Sequence, residues 1–275
     1  MESRNAGPSR ADVLMRRQHA KQRPLVIAHR GGAGLLPENT MPAFRNAVAL
    51  GCDALELDVH GTRDGHIVVS HDPSVDRTTE GTGSIRELSL AEVQRLRVTP
   101  SLESDCRIPR LAELFDAFPQ IPMIIDIKQR DPDIVEPFCD LLRAYERERV
   151  TVVGSFHASV LRRVRRRCPE TPTSFLPGEV KRYYARSFLS GMPGRLGQLL
   201  HALWPVSGPT ELLIPERQGA VYLLSPRLLR SIRRDGLFLG VWTVNEREAM
   251  QRMTEKGVHG IITDYPDVAL EVTGQ

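Results

Sequence analysis

The side chains with the greatest capacity for chemistry lie in three short stretches between positions 28 and 72. They are two histidines, an arginine and two carboxylates: His29, Arg30, Glu56, Asp58 and His71. Carboxylate oxygens bind hard divalent cations, a guanidinium binds phosphate oxygens, and imidazoles carry protons near neutral pH. This combination is typical of metal-assisted attack on a phosphate ester.

Two of these carboxylates share one face of a predicted strand. Glu56 and Asp58 are two residues apart in the apolar run 54–59, so both side chains leave the strand in the same direction. Carboxylates that share a face repel each other unless a cation or a proton lies between them. We predict that the pair binds Mg²⁺ or Ca²⁺, which prefer oxygen ligands. The alternative is an edge strand with a polar outer face.

A second pair on one strand face is formed by Asp126 and Lys128. The carboxylate is a candidate third metal ligand and the ammonium a candidate phosphate contact, although a salt bridge at a strand end would have the same sequence. The two histidines are candidates for alternating base and acid. His71 precedes Asp72, whose carboxylate would hold one imidazole tautomer or cap the next turn.

The scaffold predicted for these residues is an α/β fold, a TIM-type (β/α)₈ barrel over residues 24–275. Apolar runs that predict eight strands alternate with helical patterns: Leu25–Ala28, Ala54–Val59, Met123–Ile127, Thr151–Phe156, Thr173–Leu176, Leu212–Ile214, Leu237–Trp242 and Gly260–Thr263. A small insertion follows the second strand, where Asp64-Gly65 predicts a hairpin turn. The candidate residues fall at strand ends, where the chemistry of such barrels is found. The polar residues 1–23 are predicted to form a disordered leader outside the fold.

Composition excludes several classes of protein. Hydrophobic residues make up 41% and charged residues 26%, and the net charge of +3 gives no global field for nucleic acid. No run approaches the roughly 20 apolar residues that span a bilayer, and no secretory signal is evident. The four cysteines are scattered, which predicts reduced thiols and a cytoplasmic protein. The arginines of 162–167 alternate with apolar residues, which favours a solvated helix face over a nucleic-acid site.

Seven motifs resemble those of the glycerophosphodiester phosphodiesterases. They run in order from Pro24 to Asp267: HRGGAGLLPENT (29–40), ELDVHGTRDGHIVVSHD (56–72), DRTTEGTG (76–83), DIK (126–128), IPE (214–216), VWTVN (241–245) and GIITDYPD (260–267). The resemblance implies a TIM-like barrel that hydrolyses glycerophosphodiesters to an alcohol and sn-glycerol 3-phosphate with Mg²⁺ or Ca²⁺.

The resemblance also implies a role for each matched residue. His29 and His71 would be the acid/base pair, Glu56, Asp58 and Asp126 metal ligands, Arg30 and Lys128 phosphate contacts, and Glu38, Asn39 and Trp242 would shape or line the mouth. The family usually has glutamate where this chain has Asp126, so the shorter carboxylate would reach the metal only with a small shift or through water.

Two other functions are open at this point. A lysophospholipase D would use the same site, and the aromatic segment 177–211 would then be a lid or an acyl-contacting helix with peripheral membrane contact, or a helix packed on the barrel wall. A catalytically silent barrel that binds a phosphorylated ligand is disfavoured by the complete set of histidines and carboxylates. The head group, the metal, the oligomeric state and the route through water or a cyclic phosphate are left open.

Overall fold

The computed structural model describes residues 12–100, 106–189 and 209–274. Its strands are β1 (Leu25–Ala28), β2 (Ala54–Gly61), β3 (Ile67–Val69), β4 (Met123–Ile127), β5 (Thr151–Gly154), β6 (Glu211–Pro215), β7 (Arg217–Gln218), β8 (Val221–Tyr222), β9 (Phe238–Trp242) and β10 (Gly260–Thr263). Parallel pairing joins β5, β4, β2, β1, β10, β9 and β6 in that order. The last strand therefore lies beside the first.

The remaining gap between β5 and β6 is filled by residues 173 and 174. Thr173 forms a parallel bridge with Val153, and Ser174 forms one with Glu211. The predicted fifth strand is thus limited to two bridging residues, because Pro177 begins a helix directly afterwards. Eight strand positions surround the axis, which confirms the predicted TIM-type barrel.

Most helices occupy the connections between strands, while the first precedes β1 and the last follows β10. They are α1 (Asp12–Lys21), α2 (Met41–Leu50), α3 (Leu90–Arg95), α4 (Leu111–Ala117), α5 (Val135–Ala144), α6 (Ala158–Arg167), α7 (Pro177–Leu189), α8 (Pro226–Asp235), α9 (Arg247–Lys256) and α10 (Pro266–Thr273). The amphipathic α6 buries Val160, Leu161 and Val164, so its arginines form the solvated face that the pattern indicates.

Side chains alternate between the barrel interior and the helix layer. In β2 every residue is buried, and Leu55, Leu57 and Val59 pack in the cluster beneath the helices. Glu56 and Asp58 consequently face the interior. The strand is central, between β1 and β4, which rules out the alternative of an edge strand with a polar outer face.

The amino-terminal segment differs from the prediction of a leader outside the fold. Residues 12–21 form α1, and Leu14, only 1% exposed, packs in the cluster of side chains inside the barrel. Positive charge from Arg17 and Arg23 surrounds the buried carboxylate of Asp53, with the guanidinium of Arg23 at 2.8 Å. The single apolar patch of this segment therefore closes one end of the barrel, and residues 1–11 lie outside the described residues.

The insertion after β2 is present as predicted. Strand β3 returns antiparallel to β2 through a turn in which Gly65 has a φ of +82°, a conformation that glycine adopts without strain. The insertion has its own apolar cluster, which includes Val68, Val75 and Ile85. This small core holds the segment that follows β3 in a defined position beside the barrel mouth.

The aromatic segment 177–211 is only partly described. Its first part forms α7, where Tyr183 is buried and contacts Phe175 with ring centroids 5.6 Å apart. This part matches the alternative of a helix packed on the barrel wall. The rest of the segment, residues 190–208, lies outside the described residues.

Replacing the buried Glu211 by glutamine is expected to stabilise the protein at alkaline pH. Burial raises the pKa of Glu211 to about 8, and its Oε1 atom has no hydrogen-bond partner among the described residues. The folded state therefore holds this proton while the unfolded state, with a pKa of about 4.3, releases it, so stability declines as the pH rises between these values. Denaturant unfolding at pH 8 should show a gain of about 1–4 kcal/mol for Glu211→Gln. At pH 4 the gain should disappear, and an equal gain at both pH values would contradict this explanation.

Candidate active site

A cleft of about 890 Å³ opens at the carboxyl ends of the barrel strands. Seven residues predicted from the sequence line it: His29, Arg30, Glu56, His71, Asp126, Lys128 and Trp242. Three more predicted residues do not line the cleft but form hydrogen bonds or ion pairs beside it, namely Glu38, Asn39 and Asp58. The strand register places Asp58 of β2 directly beside Asp126 of β4. The fold thus brings all ten predicted residues together.

His29 follows β1 and is held by a carboxylate from the far end of the chain. Its Nδ1 atom lies 2.6 Å from Oδ1 of Asp264, which follows the neighbouring strand β10. Asn245 donates from Nδ2 to the other oxygen of Asp264 at 2.6 Å. Because a carboxylate only accepts, Nδ1 carries the hydrogen and Nε2 is available to the cleft. Burial lowers the pKa of His29, but the hydrogen bond to Asp264 and the charge of Glu56 outweigh it and raise the pKa overall.

Replacing Asp264 by asparagine is expected to misorient His29 and lower its pKa. The amide can no longer specify the Nδ1–H tautomer, and the negative charge that stabilises the imidazolium is lost. We expect kcat to fall by ~10²–10⁴-fold, the range for a positioned acid or base, and the pH profile to move to lower pH. A kcat/KM profile against pH checks both effects. An unchanged profile in Asp264→Asn would show that this carboxylate does not act through His29.

His71 carries a carboxylate on the same ring nitrogen. Its Nδ1 atom lies 2.6 Å from Oδ1 of Asp72, and a hydrogen bond from Arg77 lowers the pKa of Asp72 to about 2. The Nε2 atom of His60 lies 3.2 Å from the backbone oxygen of His71. Each catalytic candidate therefore has Nδ1 bound to a carboxylate whose pKa is lowered, and the Nε2 atom of His29 lies 3.9 Å from Oε2 of Glu56. This arrangement is what two proton carriers in one cleft require.

The paired carboxylates of β2 are almost completely buried. Glu56 is 8% exposed and Asp58 is fully buried. Burial and the neighbouring charge of Asp58 raise the pKa of Glu56 to about 7. Burial also raises the pKa of Asp126. The raised pKa values mean that the surroundings do not fully stabilise the negative charge of Glu56 and Asp126 at the floor of the cleft.

Two cationic side chains partly offset this charge. The Nζ atom of Lys128 lies 2.7 Å from Oδ2 of Asp126 and 3.1 Å from Oδ1 of Asp58. The Nε atom of Arg30 lies 3.2 Å from the other oxygen of Asp58. The salt bridge that was the alternative for Asp126 and Lys128 is thus formed, and it is formed at the cleft. In the described part of the chain, no three His, Cys, Asp or Glu side chains are grouped to enclose a metal.

The loop after β1 holds an unusual backbone conformation at the site. Arg30 and Asn39 have φ values of 51° and 57°, and the Arg30 amide donates to Oε2 of Glu56 at 3.1 Å. Asn39 donates from Nδ2 to Asp58 at 3.1 Å. Gly31 is required here, because a Cβ atom would lie 2.9 Å from that of Ala43 and the φ of Gly31 is +84°. The loop therefore positions the guanidinium of Arg30 and orients the two metal-ligand candidates of β2, Glu56 and Asp58.

The amino-acid sequence that forms this site matches a known protein family. The model of the glycerophosphoryl diester phosphodiesterase family matches residues 29–268. The chain belongs to this family. The matched range contains every residue of the candidate site. Membership makes the protein a hydrolase of phosphoric diesters, as the motifs predict.

Relatives of the glycerophosphodiester phosphodiesterase family match nearly the whole chain. A glycerophosphodiester phosphodiesterase of Caldanaerobacter subterraneus is 32% identical and covers 90% of this chain and 97% of its own. A lysophospholipase D of Homo sapiens is 31% identical and covers 90% of this chain and 86% of its own. The crystal structure of a glycerophosphodiester phosphodiesterase of Thermotoga maritima superposes with a TM-score of 0.69, at 25% identity, over 92% of this chain and 98% of its own.

One solved relative contains a ligand. A phosphodiesterase of Oleispira antarctica, in complex with the product sn-glycerol-3-phosphate, superposes with a TM-score of 0.74 over 94% of this chain and 99% of its own. At 22% identity it supports the barrel fold of this chain. Within the described ranges, no helix has the length and apolar character needed to cross a bilayer.

Sequence reasoning assigned no role to several residues of this phosphodiesterase site. Asp264 and Asn245 orient His29, while Arg77 and His60 support His71. The sequence could have identified Asp264, because this residue directly follows β10 and the strand-end rule applies to it as to the other site residues. No sequence pattern could have identified Arg77, because its contacts depend on how the insertion folds back on the loop after β1.

Proposed function

We propose that this chain hydrolyses glycerophosphodiesters to an alcohol and sn-glycerol 3-phosphate, with His29 and His71 as the acid/base pair. The observation that carries the proposal is the matched orientation of the two histidines, each with Nδ1 at 2.6 Å from a carboxylate. Cleavage of a phosphodiester needs one proton removed from the nucleophile and one delivered to the leaving alkoxide. The Nε2 atoms of the two rings, which line one cleft, would carry out both transfers.

The nucleophile is either water or the glycerol hydroxyl of the substrate. The hydroxyl route would pass through a cyclic phosphate, which a second attack by water would open. In both routes one histidine accepts the proton of the nucleophile and the other donates to the departing oxygen. Arg30 and Lys128 supply positive charge beside the cleft for the phosphate oxygens, with Glu38 and Asn39 holding Arg30 and its loop and Trp242 lining the mouth.

The carboxylates also fit a divalent cation. Glu56 and Asp58 offer only oxygen ligands, and burial beside Asp58 raises the pKa of Glu56, so a cation would stabilise its charged form. Asp126 is the proposed third ligand, although Lys128 binds it in this structure. When bound, Mg²⁺ or Ca²⁺ would offset charge on the phosphate oxygens. Glu56 and Asp58 would hold the cation, with Asp126 as the third ligand.

The decisive experiment is release of glycerol 3-phosphate from glycerophosphocholine. The assay is run with EDTA and with added Mg²⁺ or Ca²⁺, beside a His29→Ala variant. We expect release that depends on the metal and disappears in the variant. Release in EDTA would contradict the metal requirement, and no release with either ion or any glycerophosphodiester would contradict the substrate class.

A lysophospholipase D activity is the second candidate. Relatives with that name match 90% of the chain, and one wall of the cleft is apolar, formed by Phe175, Val180, Leu213, Leu223 and Trp242. Such a wall would accept an acyl chain. Faster turnover of micellar lysophosphatidylcholine than of glycerophosphocholine would favour this activity, and the reverse order would favour the first.

We also propose a reducing, cytoplasmic location. All four cysteines are free and buried, as Cys52, Cys106, Cys139 and Cys168 form no disulfide. Buried thiols that form no disulfide are typical of proteins kept in a reducing compartment. Fractionation of cells that produce the protein would test the location.

A further inference from the structure

The exposed apolar side chains of the described residues are concentrated around the cleft. Six large hydrophobic side chains are more than a third exposed: Leu35, Leu50, Phe156, Phe188, Val221 and Tyr265. Four of them lie in segments that follow barrel strands at the carboxyl end. We call these four, Leu35, Phe156, Val221 and Tyr265, the rim residues. Exposed apolar groups collected on one face indicate an interaction surface.

The rim residues lie on both sides of the catalytic groups. Tyr265 packs against Gly34, beside Leu35, where its ring leaves no room for a Cβ atom. Across the mouth, Phe156 lines the cleft and meets Trp242 edge-on with centroids 6.3 Å apart. Val221, 54% exposed, lies in the β7–β8 hairpin, whose first strand lines the cleft. A surface that covers all four would lie directly over the cleft.

Two cations accompany the apolar groups. Lys181 and Arg217 are exposed and line the cleft, and among the described residues neither forms an ion pair. The nearest acidic neighbour of Lys181 in sequence, Glu179, is bound to Arg165 at 2.7 Å. Both cations are therefore exposed at the rim, with the guanidinium of Arg217 5.4 Å from the ring centroid of Tyr222.

We propose that this face docks on membranes that contain anionic phospholipid. The rim residues would enter the interface, and Lys181 and Arg217 would bind the lipid head groups, the two contributions that together give stable peripheral binding. Lipid is favoured over a protein partner because a fluid bilayer can accept apolar side chains on separate loops while its anionic head groups bind the two cations. Docking goes beyond the proposed activity and requires no turnover.

The test is cosedimentation of the full chain with vesicles of phosphatidylcholine, alone or mixed with phosphatidylglycerol, in the absence of substrate. We expect binding that rises with phosphatidylglycerol and falls with salt. The double variant Phe156→Ser, Val221→Ser should bind at least ~10-fold more weakly. The matched control is Leu50→Ser, because Leu50 is 39% exposed but ends α2 at the opposite end of the barrel. Thermal unfolding verifies that each variant is folded.

Charge is tested separately. Lys181→Gln with Arg217→Gln should remove the preference for phosphatidylglycerol, whereas Arg166→Gln, in the last turn of α6, should retain it. The proposal is overturned if the wild-type chain binds neither vesicle, or if Leu50→Ser weakens binding as much as the rim variants. Since no substrate is present, failure of the phosphodiesterase assay leaves this result unaffected.

Discussion

Alanine in place of His29 or His71 is expected to lower kcat by ~10²–10⁴-fold, the usual loss when a positioned proton carrier is removed. The physical reason is the geometry of the two rings, each of which lines the cleft and has Nδ1 fixed by a carboxylate. Steady-state release of glycerol 3-phosphate measures the effect. Because the two residues act in one reaction, the double variant should lose little more than the worse single variant.

The matched control for the histidines is His66→Ala. His66 is an exposed histidine in the hairpin of the insertion, on the same loop system as His71 but away from the lining of the cleft. It should retain wild-type turnover. Near-normal turnover in either His29→Ala or His71→Ala would remove the two-histidine assignment, whatever the behaviour of the control.

Glutamine in place of Glu56 is expected to change activity and stability in opposite directions. Activity should fall by more than ~10²-fold, since one proposed ligand of the cation and its charge are lost. The metal-free protein should become more stable by about 1–3 kcal/mol, because Glu56 is buried beside Asp58 and its pKa is raised to about 7. Denaturant unfolding in EDTA at neutral pH measures the second effect.

Metal binding itself is read by thermal unfolding with and without Mg²⁺ or Ca²⁺. The wild-type chain should gain in Tm with the ion, and Glu56→Gln should not. Glu211→Gln is the matched control, because it also removes a buried carboxyl from the barrel interior, and it should keep both the Tm gain and metal-dependent activity. A Tm gain in Glu56→Gln equal to that of the wild type would exclude Glu56 as a ligand.

Most of the site was predictable because its residues lie at the ends of strands. The runs around Glu56, Asp126 and Trp242 each carry a local apolar pattern, and a parallel barrel collects such strand ends at one mouth. The segment 12–21 was not predictable in this way. Its apolar patch is short, and only the open end of the barrel provides the partners that bury Leu14.

The amino-acid sequence by itself predicted which side chains are candidates for the chemistry and which strands carry them, since alternation along a strand is a local property. Only the tertiary structure decided which residues these side chains contact. His29 and Asp264 are 235 residues apart and meet because the barrel places β10 beside β1. Lys128 bridges Asp58 and Asp126 because β2 and β4 pair in one register. Such contacts depend on barrel closure, which couples distant segments and leaves no periodic signal in either of them.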